Sequence, residues 1–114
     1  MNPRAEAADD PPLHEFVAVD GRSLRHRITR GAGNAVVFVH GFGRSLESWQ
    51  ENYAALAAAG RTVAALDLPG HGESSTDVGS GSLDGLATAV LGYLDAMGLA
   101  RVHLVGHSMG AAVC

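Results

Sequence analysis

The run Val102-His103-Leu104-Val105 ends in Gly106-His107-Ser108-Met109-Gly110, and this junction constrains the chain more than any other stretch. It fits G-x-S-x-G, in which a strand turns sharply into a helix and holds a serine at the tip of the turn. Such a serine takes strained backbone angles, and neighbouring chain passes close to it. Gly106 and Gly110 remove the side chains that would collide there. The N–H of Met109, opening the next helix, is then free to face a negative charge. On its own the pentapeptide is equally consistent with a Gly/Ser loop, so its context decides.

That context is a series of strands and helices. Ala35-Val36-Val37-Phe38-Val39 is apolar without alternation and mostly β-branched, as suits a strand covered on both faces. Thr62–Leu66 and Arg101–Val105 read the same way. Between them lie two helical patterns. Ser45 is placed to cap the first, with Leu46, Trp49, Tyr53 and Leu56 at helical spacing and Gly60 as its stop. Ser82 caps the second, with Leu83, Leu86, Val90, Leu91, Leu94 and Met97 on one face and Gly98 as its stop. Upstream, residues 14–19 form a strand, Asp20-Gly21 a hairpin turn, and residues 23–28 an alternating, half-buried strand. Gly31-Ala32-Gly33-Asn34 reads as the next turn. The predicted fold class is α/β: an antiparallel hairpin followed by a parallel βαβαβ unit that ends at the serine turn, with helices on both faces. Residues 1–12, rich in Ala, Pro and acids, read as a flexible tail or linker, and residues 13–114 as the folded part.

Composition removes several functions. The formal charge is -4, and all 8 basic residues are Arg, so no basic face builds up for nucleic acid. No apolar run approaches the length of a membrane span. Residues 1–12 lack the apolar centre of a signal peptide, which points to the cytoplasm. The 1 cysteine, Cys114, makes no intrachain disulfide. The 6 histidines and the scattered aspartates have no metal-ligand spacing. Neither a metal nor a cofactor is expected.

In a parallel sheet, sites form at the carboxyl ends of the strands. Three such ends are rich in glycine here: His40-Gly41-Phe42-Gly43, Asp67-Leu68-Pro69-Gly70-His71-Gly72, and Gly106-His107-Ser108-Met109-Gly110. They are expected to line one rim. The N–H groups of Phe42 and Met109 would form an oxyanion hole beside Ser108 Oγ as the nucleophile.

HGFG, DLPGHGESS and GHSMG in this order resemble the N-terminal half of an α/β-hydrolase. The resemblance covers residues 14–114. It implies a serine-nucleophile acyl hydrolase acting on an ester- or thioester-type carbonyl of a small acyl substrate. It also makes His40 and His107 positioning residues, with Gly41, Gly43, Gly106 and Gly110 as the glycines of the site. A more specific resemblance lies in residues 67–75 together with residues 77–84, DVGSGSLD. These are similar to the acetyltransferase (E2) component of acetoin dehydrogenase complexes. That family implies acetyl transfer between lipoamide and coenzyme A inside a multienzyme complex. The sequence departs from it in having no lipoyl domain and, lacking Lys, no lipoylation site.

The superfamily places an acid and then a histidine after the serine. Only Met109 to Cys114 follow Ser108 here, so neither is present. The six upstream histidines are read as structural or, for His14 and His26, exposed. Asp67 is read as bracing its own turn. A serine hydroxyl is weak without a base, so the 114-residue chain by itself is expected to be an inert fragment.

Overall fold

The structure is a computed structural model and describes residues 15–78 and 81–114. The tail at 1–12, His14, and Gly79-Ser80 lie outside the described residues. The first hairpin joins β1 (Glu15–Val19) to β2 (Arg22–Thr29). Its turn residues Asp20 and Gly21 both have positive φ, 51° and 79°. That pairing is the signature of a two-residue turn whose twist matches the strands. β3 (Ala32–Val39) follows, then a 3-10 turn (Leu46–Trp49) continuing into α1 (Gln50–Ala58). β4 (Arg61–Leu66), α2 (Leu83–Met97), β5 (Val102–Gly106) and α3 (Met109–Val113) complete the order.

Among the described residues, five strands form one sheet in the order β1-β2-β4-β3-β5. β1 and β2 pair antiparallel, as do β2 and β4, whereas β3 is parallel to both β4 and β5. The antiparallel hairpin followed by a parallel βαβαβ unit is therefore present, as the sequence led us to expect. β3 shows why its apolar run lacks alternation. Val37 and Val39 pack with Leu86, Val90 and Tyr93 of α2, while Val36 and Phe38 pack with Leu46 and Tyr53 on the other face. Each fully buried side chain of this size contributes about 1.5–3 kcal/mol.

Several details differ from the sequence reading. Ala32, Gly33 and Asn34 belong to β3 rather than to a turn. Gly33 takes φ 79° there, where the register with β4 slips between Ala32 and Val36. Ser45 does not cap the helix; its hydroxyl donates to Glu47 Oε1 at 2.6 Å, and the first turn is 3-10. Residues 24–26 do not alternate. Leu24, Arg25 and His26 are all buried, because both faces of β2 are covered: Leu24 and His26 pack toward α2, and Arg25 lies under Asp67 and Glu47 on the other face. His26 is thus buried, not exposed. On α2, Leu83 and Leu91 face outward, and Ala89 and Tyr93 take the core positions instead. Ser82 does cap α2, accepting from Gly85 N–H at 3.0 Å, and Gly98 ends it at φ 70°. β5 is half-buried rather than fully covered; among the described residues it pairs only with β3.

Candidate active site

The register of the sheet brings the three glycine-rich segments together. Val39 stands opposite Leu66 of β4 on one side and opposite Gly106 of β5 on the other. The next residues, Asp67, His40 and His107, therefore leave the sheet side by side. Cross-bonds tie these loops. His107 N–H donates to Val39 O at 3.2 Å, and Leu68 N–H donates to His40 Nε2 at 3.0 Å.

Ser108 sits where β5 gives way to α3, at φ 58° and ψ −119°. A non-glycine residue held there stores roughly 1–3 kcal/mol of strain. The surrounding glycines explain how it is held. A Cβ on Gly106 would come within 2.5 Å of Gly110 backbone, and one on Gly110 within 2.2 Å of Val39 O. The first turn of α3 is thus pressed directly onto the ends of β3 and β5. Turn bonds from Gly110 N–H to His107 O and from Ala111 N–H to Ser108 O occupy those donors. Met109 N–H, at the first helical position, belongs to the donors a helix leaves without an internal partner.

The segment at 41–44 meets the serine from the other side. A Cβ on Gly41 would lie 3.3 Å from Ser108 Cβ and 3.1 Å from His107 O. Residues 41–44 form a turn closed by Arg44 N–H to Gly41 O at 3.1 Å, and Gly43 supplies the positive φ of 72° that it needs. The Phe42 side chain is 78% exposed and meets the His71 ring edge-on at 5.7 Å. His107 and Ser108 are exposed, and Met109 is partly buried.

His40 is fully buried. Its Nε2 accepts from Leu68 N–H, so its Nδ1 carries the proton and donates to Gly41 O at 2.7 Å. Burial pushes its pKa below the ordinary histidine value. With both ring nitrogens engaged, it holds two loops in place and has no free nitrogen to take a proton from Ser108. A pocket of about 250 Å³ opens beside the rim, walled by His40, Gly41, Arg44, Ser48, Trp49 and His107. Trp49 is otherwise a packing residue, stacked on Phe38 at 4.6 Å.

Asp67 is buried and braces more than its own turn. Its Oδ2 accepts from Glu73 N–H at 2.9 Å and from Arg25 Nε at 2.6 Å, and its Oδ1 accepts from Leu46 N–H at 2.7 Å. Arg25 is 2% exposed and also grips Glu47 with two nitrogens, at 2.8 and 2.6 Å. Burial works against its charge, but the bonds to Glu47 and Asp67 outweigh that and raise its pKa. The hydrogen bonds from Arg25, helped by the one from Ser45, hold the Glu47 carboxyl down at about 2. Sequence reasoning missed Arg25, which looked like the polar member of an alternating strand. The signal was available in Asp67: a carboxylate at the end of a buried strand needs a cation. Among the described residues, no three His, Cys, Asp or Glu side chains are grouped to hold a metal ion.

The model of the alpha/beta hydrolase fold family matches residues 34–114, and the chain belongs to that family. The dihydrolipoyllysine-residue acetyltransferase component of the acetoin cleaving system of Pseudomonas putida is 50% identical over 103 residues, 90% of this chain and 28% of that protein. The 2-hydroxy-6-oxononadienedioate/2-hydroxy-6-oxononatrienedioate hydrolase of Burkholderia vietnamiensis is 44% identical over 100 residues, 82% of this chain and 35% of that protein. The enol-lactonase of Burkholderia xenovorans superposes with a TM-score of 0.79 at 31% identity, covering 87% of this chain and 39% of that one. The chain thus spans 28–35% of these two curated relatives. Among the described residues, no helix is long and apolar enough to cross a membrane.

Proposed function

We propose that the whole protein is a serine-nucleophile acyl hydrolase that attacks an ester- or thioester-type carbonyl through Ser108 Oγ. The observation that carries this reading is the strained Ser108 backbone at the end of β5, in van der Waals reach of Gly41. Attack forms a C–O bond and moves the carbonyl π electrons onto oxygen. The N–H groups of Phe42 and Met109 stabilise that oxyanion, each such donor being worth about 10²–10³ in rate. Collapse of the tetrahedral species expels the leaving group and leaves an acyl group on Ser108. The serine proton passes to a general base, a role His40 does not take because both its ring nitrogens are engaged. General-base help of this kind is worth about 10²–10⁴.

The second reading is acyl transfer, with acetyl moving from acetyl-dihydrolipoamide through Ser108 to coenzyme A. The identity with the acetoin-cleaving acetyltransferase component favours it. Lipoamide and coenzyme A would then be substrates, and the protein would work inside a dehydrogenase complex.

Ser108→Ala in the full-length protein tests the shared core of both readings. Turnover of a model ester falls at least 10³-fold if Ser108 is the nucleophile, because triad members act as a unit. Unchanged turnover defeats both readings. In the wild type, acetyl-coenzyme A formed from acetyl-dihydrolipoamide selects transfer, and free acetate as the sole product selects hydrolysis. The 114-residue chain alone turns over no faster than its own Ser108→Ala variant.

A further inference from the structure

We propose that Arg25 is a positioning residue for the Gly41–Arg44 turn, acting through Asp67 and Glu47 on the segment that follows it. This rests on the reading of Phe42 N–H as an oxyanion donor. Arg25 lies on β2, which is paired on both sides and is among the most constrained strands of the sheet. Its guanidinium gathers three carboxylates: Asp67 at 2.6 Å, Glu47 at 2.6 Å and Glu73 at 3.3 Å. None of the three comes from β2 itself. Asp67 and Glu73 come from the loop after β4, and Glu47 from the 3-10 turn after residues 41–44.

Burying an arginine costs several kcal/mol unless its hydrogen bonds are well made. Here they are made to the loops that flank the site. The backbone of Arg25 joins in: its N–H donates to Ser74 Oγ at 2.8 Å, and its C=O accepts from Asp67 N–H at 2.9 Å. The turn at 41–44 has little else to fix it on its far side. Phe42 is outside the core, and a Cβ on Gly43 would meet nothing within 4 Å. Its near end is held by His40. Its far end is held where Asp67 Oδ1 takes Leu46 N–H, and where Arg25 grips Glu47. Arg25 thus fixes both the carboxylate that receives Leu46 and the side chain next to it. A displacement near 1 Å of a positioned group can cost about 10²-fold in rate.

The test uses the full-length protein and p-nitrophenyl acetate as the ester. Arg25→Met is expected to lower kcat by roughly 10–100-fold with KM nearly unchanged, the pattern of a loss felt in the transition state. Arg25→Lys keeps the charge but loses the fork, and recovers only part of that loss. Arg25→Met leaves Asp67 buried without its cation and can unfold the chain, so Glu47→Gln is the second variant. The Glu47 side chain is 52% exposed, which makes it a mild change for folding. It lowers kcat by roughly 3–10-fold, a smaller share of the same positioning effect. It also speeds amide exchange at residues 42–46 while leaving the β1–β2 hairpin unchanged. Wild-type kcat and unchanged exchange at 42–46 in Glu47→Gln, with Ser108→Ala inactive, overturn this inference alone. An active Ser108→Ala overturns the reading of the site beneath it, and this inference with it.

Discussion

At the scale of single residues, the site depends on which side chains are missing. A Cβ added at Gly110 would collide with the carbonyl oxygens of Val39 and His40, and these are backbone atoms, which cannot swing aside. Gly110→Ala therefore has to push α3 off the end of β3. It is expected to lower stability by about 1–3 kcal/mol, the usual cost of overpacking. A thermal melt of the variant checks this, and a melt identical to wild type would mean the α3 turn is not packed as described. Gly43 is different in kind. A Cβ there meets nothing, and the glycine serves only the positive φ. Ser108 pays for its own positive φ by being wedged between Gly41 and the glycines of its turn.

At the scale of elements, β2 carries more than its length suggests. Besides Arg25, it holds His26, whose Nδ1 meets Tyr93 OH of α2 at 2.8 Å with the rings edge to face at 5.3 Å. Burial lowers the His26 pKa below 6.5 and raises that of Tyr93. The folded chain thus keeps His26 neutral, while the unfolded chain takes up a proton near the ordinary value. Between the depressed folded pKa and about 6.5, the unfolded state binds more protons, so stability rises with pH. The contribution is fully present above that window and is lost as pH falls through it. His40 adds to the same slope in the same direction. Denaturant midpoints at pH 7.5 and pH 5.5 are expected to fall with acidification, and His26→Phe should flatten part of the slope. An unchanged slope in His26→Phe would show that His26 does not contribute to the pH dependence. None of this was visible in the residue pattern of β2. Alternation assigns one face of a strand to solvent, and only the packing of α2 on one face and of Asp67 and Glu47 on the other shows that this strand has no open face. α2 misled in the same way. Leu83 and Leu91 fit a helical stripe as well as Tyr93 does, and the direction of the core chose Tyr93. The caps at Ser82 and Gly98 were legible because they depend on local backbone chemistry alone.

At the scale of the whole molecule, the three strand ends were readable because glycine and β-branched residues mark them without help from packing. Their meeting on one rim then followed from parallel pairing, and the register of Leu66, Val39 and Gly106 bears this out. The Arg25 cluster was not readable, since it joins residues 42 positions apart through a topology that pairs β2 with β4. The family is shared with acetyltransferase and hydrolase relatives of which this chain matches only about a third or less. Under the proposed reading, these residues would contribute a serine and the backbone donors around it to either chemistry. The most direct measurement is mass spectrometry of the full-length protein, quenched within milliseconds of mixing with p-nitrophenyl acetate. An acetyl group on the peptide that contains Ser108, absent in Ser108→Ala, is the expected result. Steady turnover with no acetyl on Ser108, or with acetyl on another residue, would contradict it.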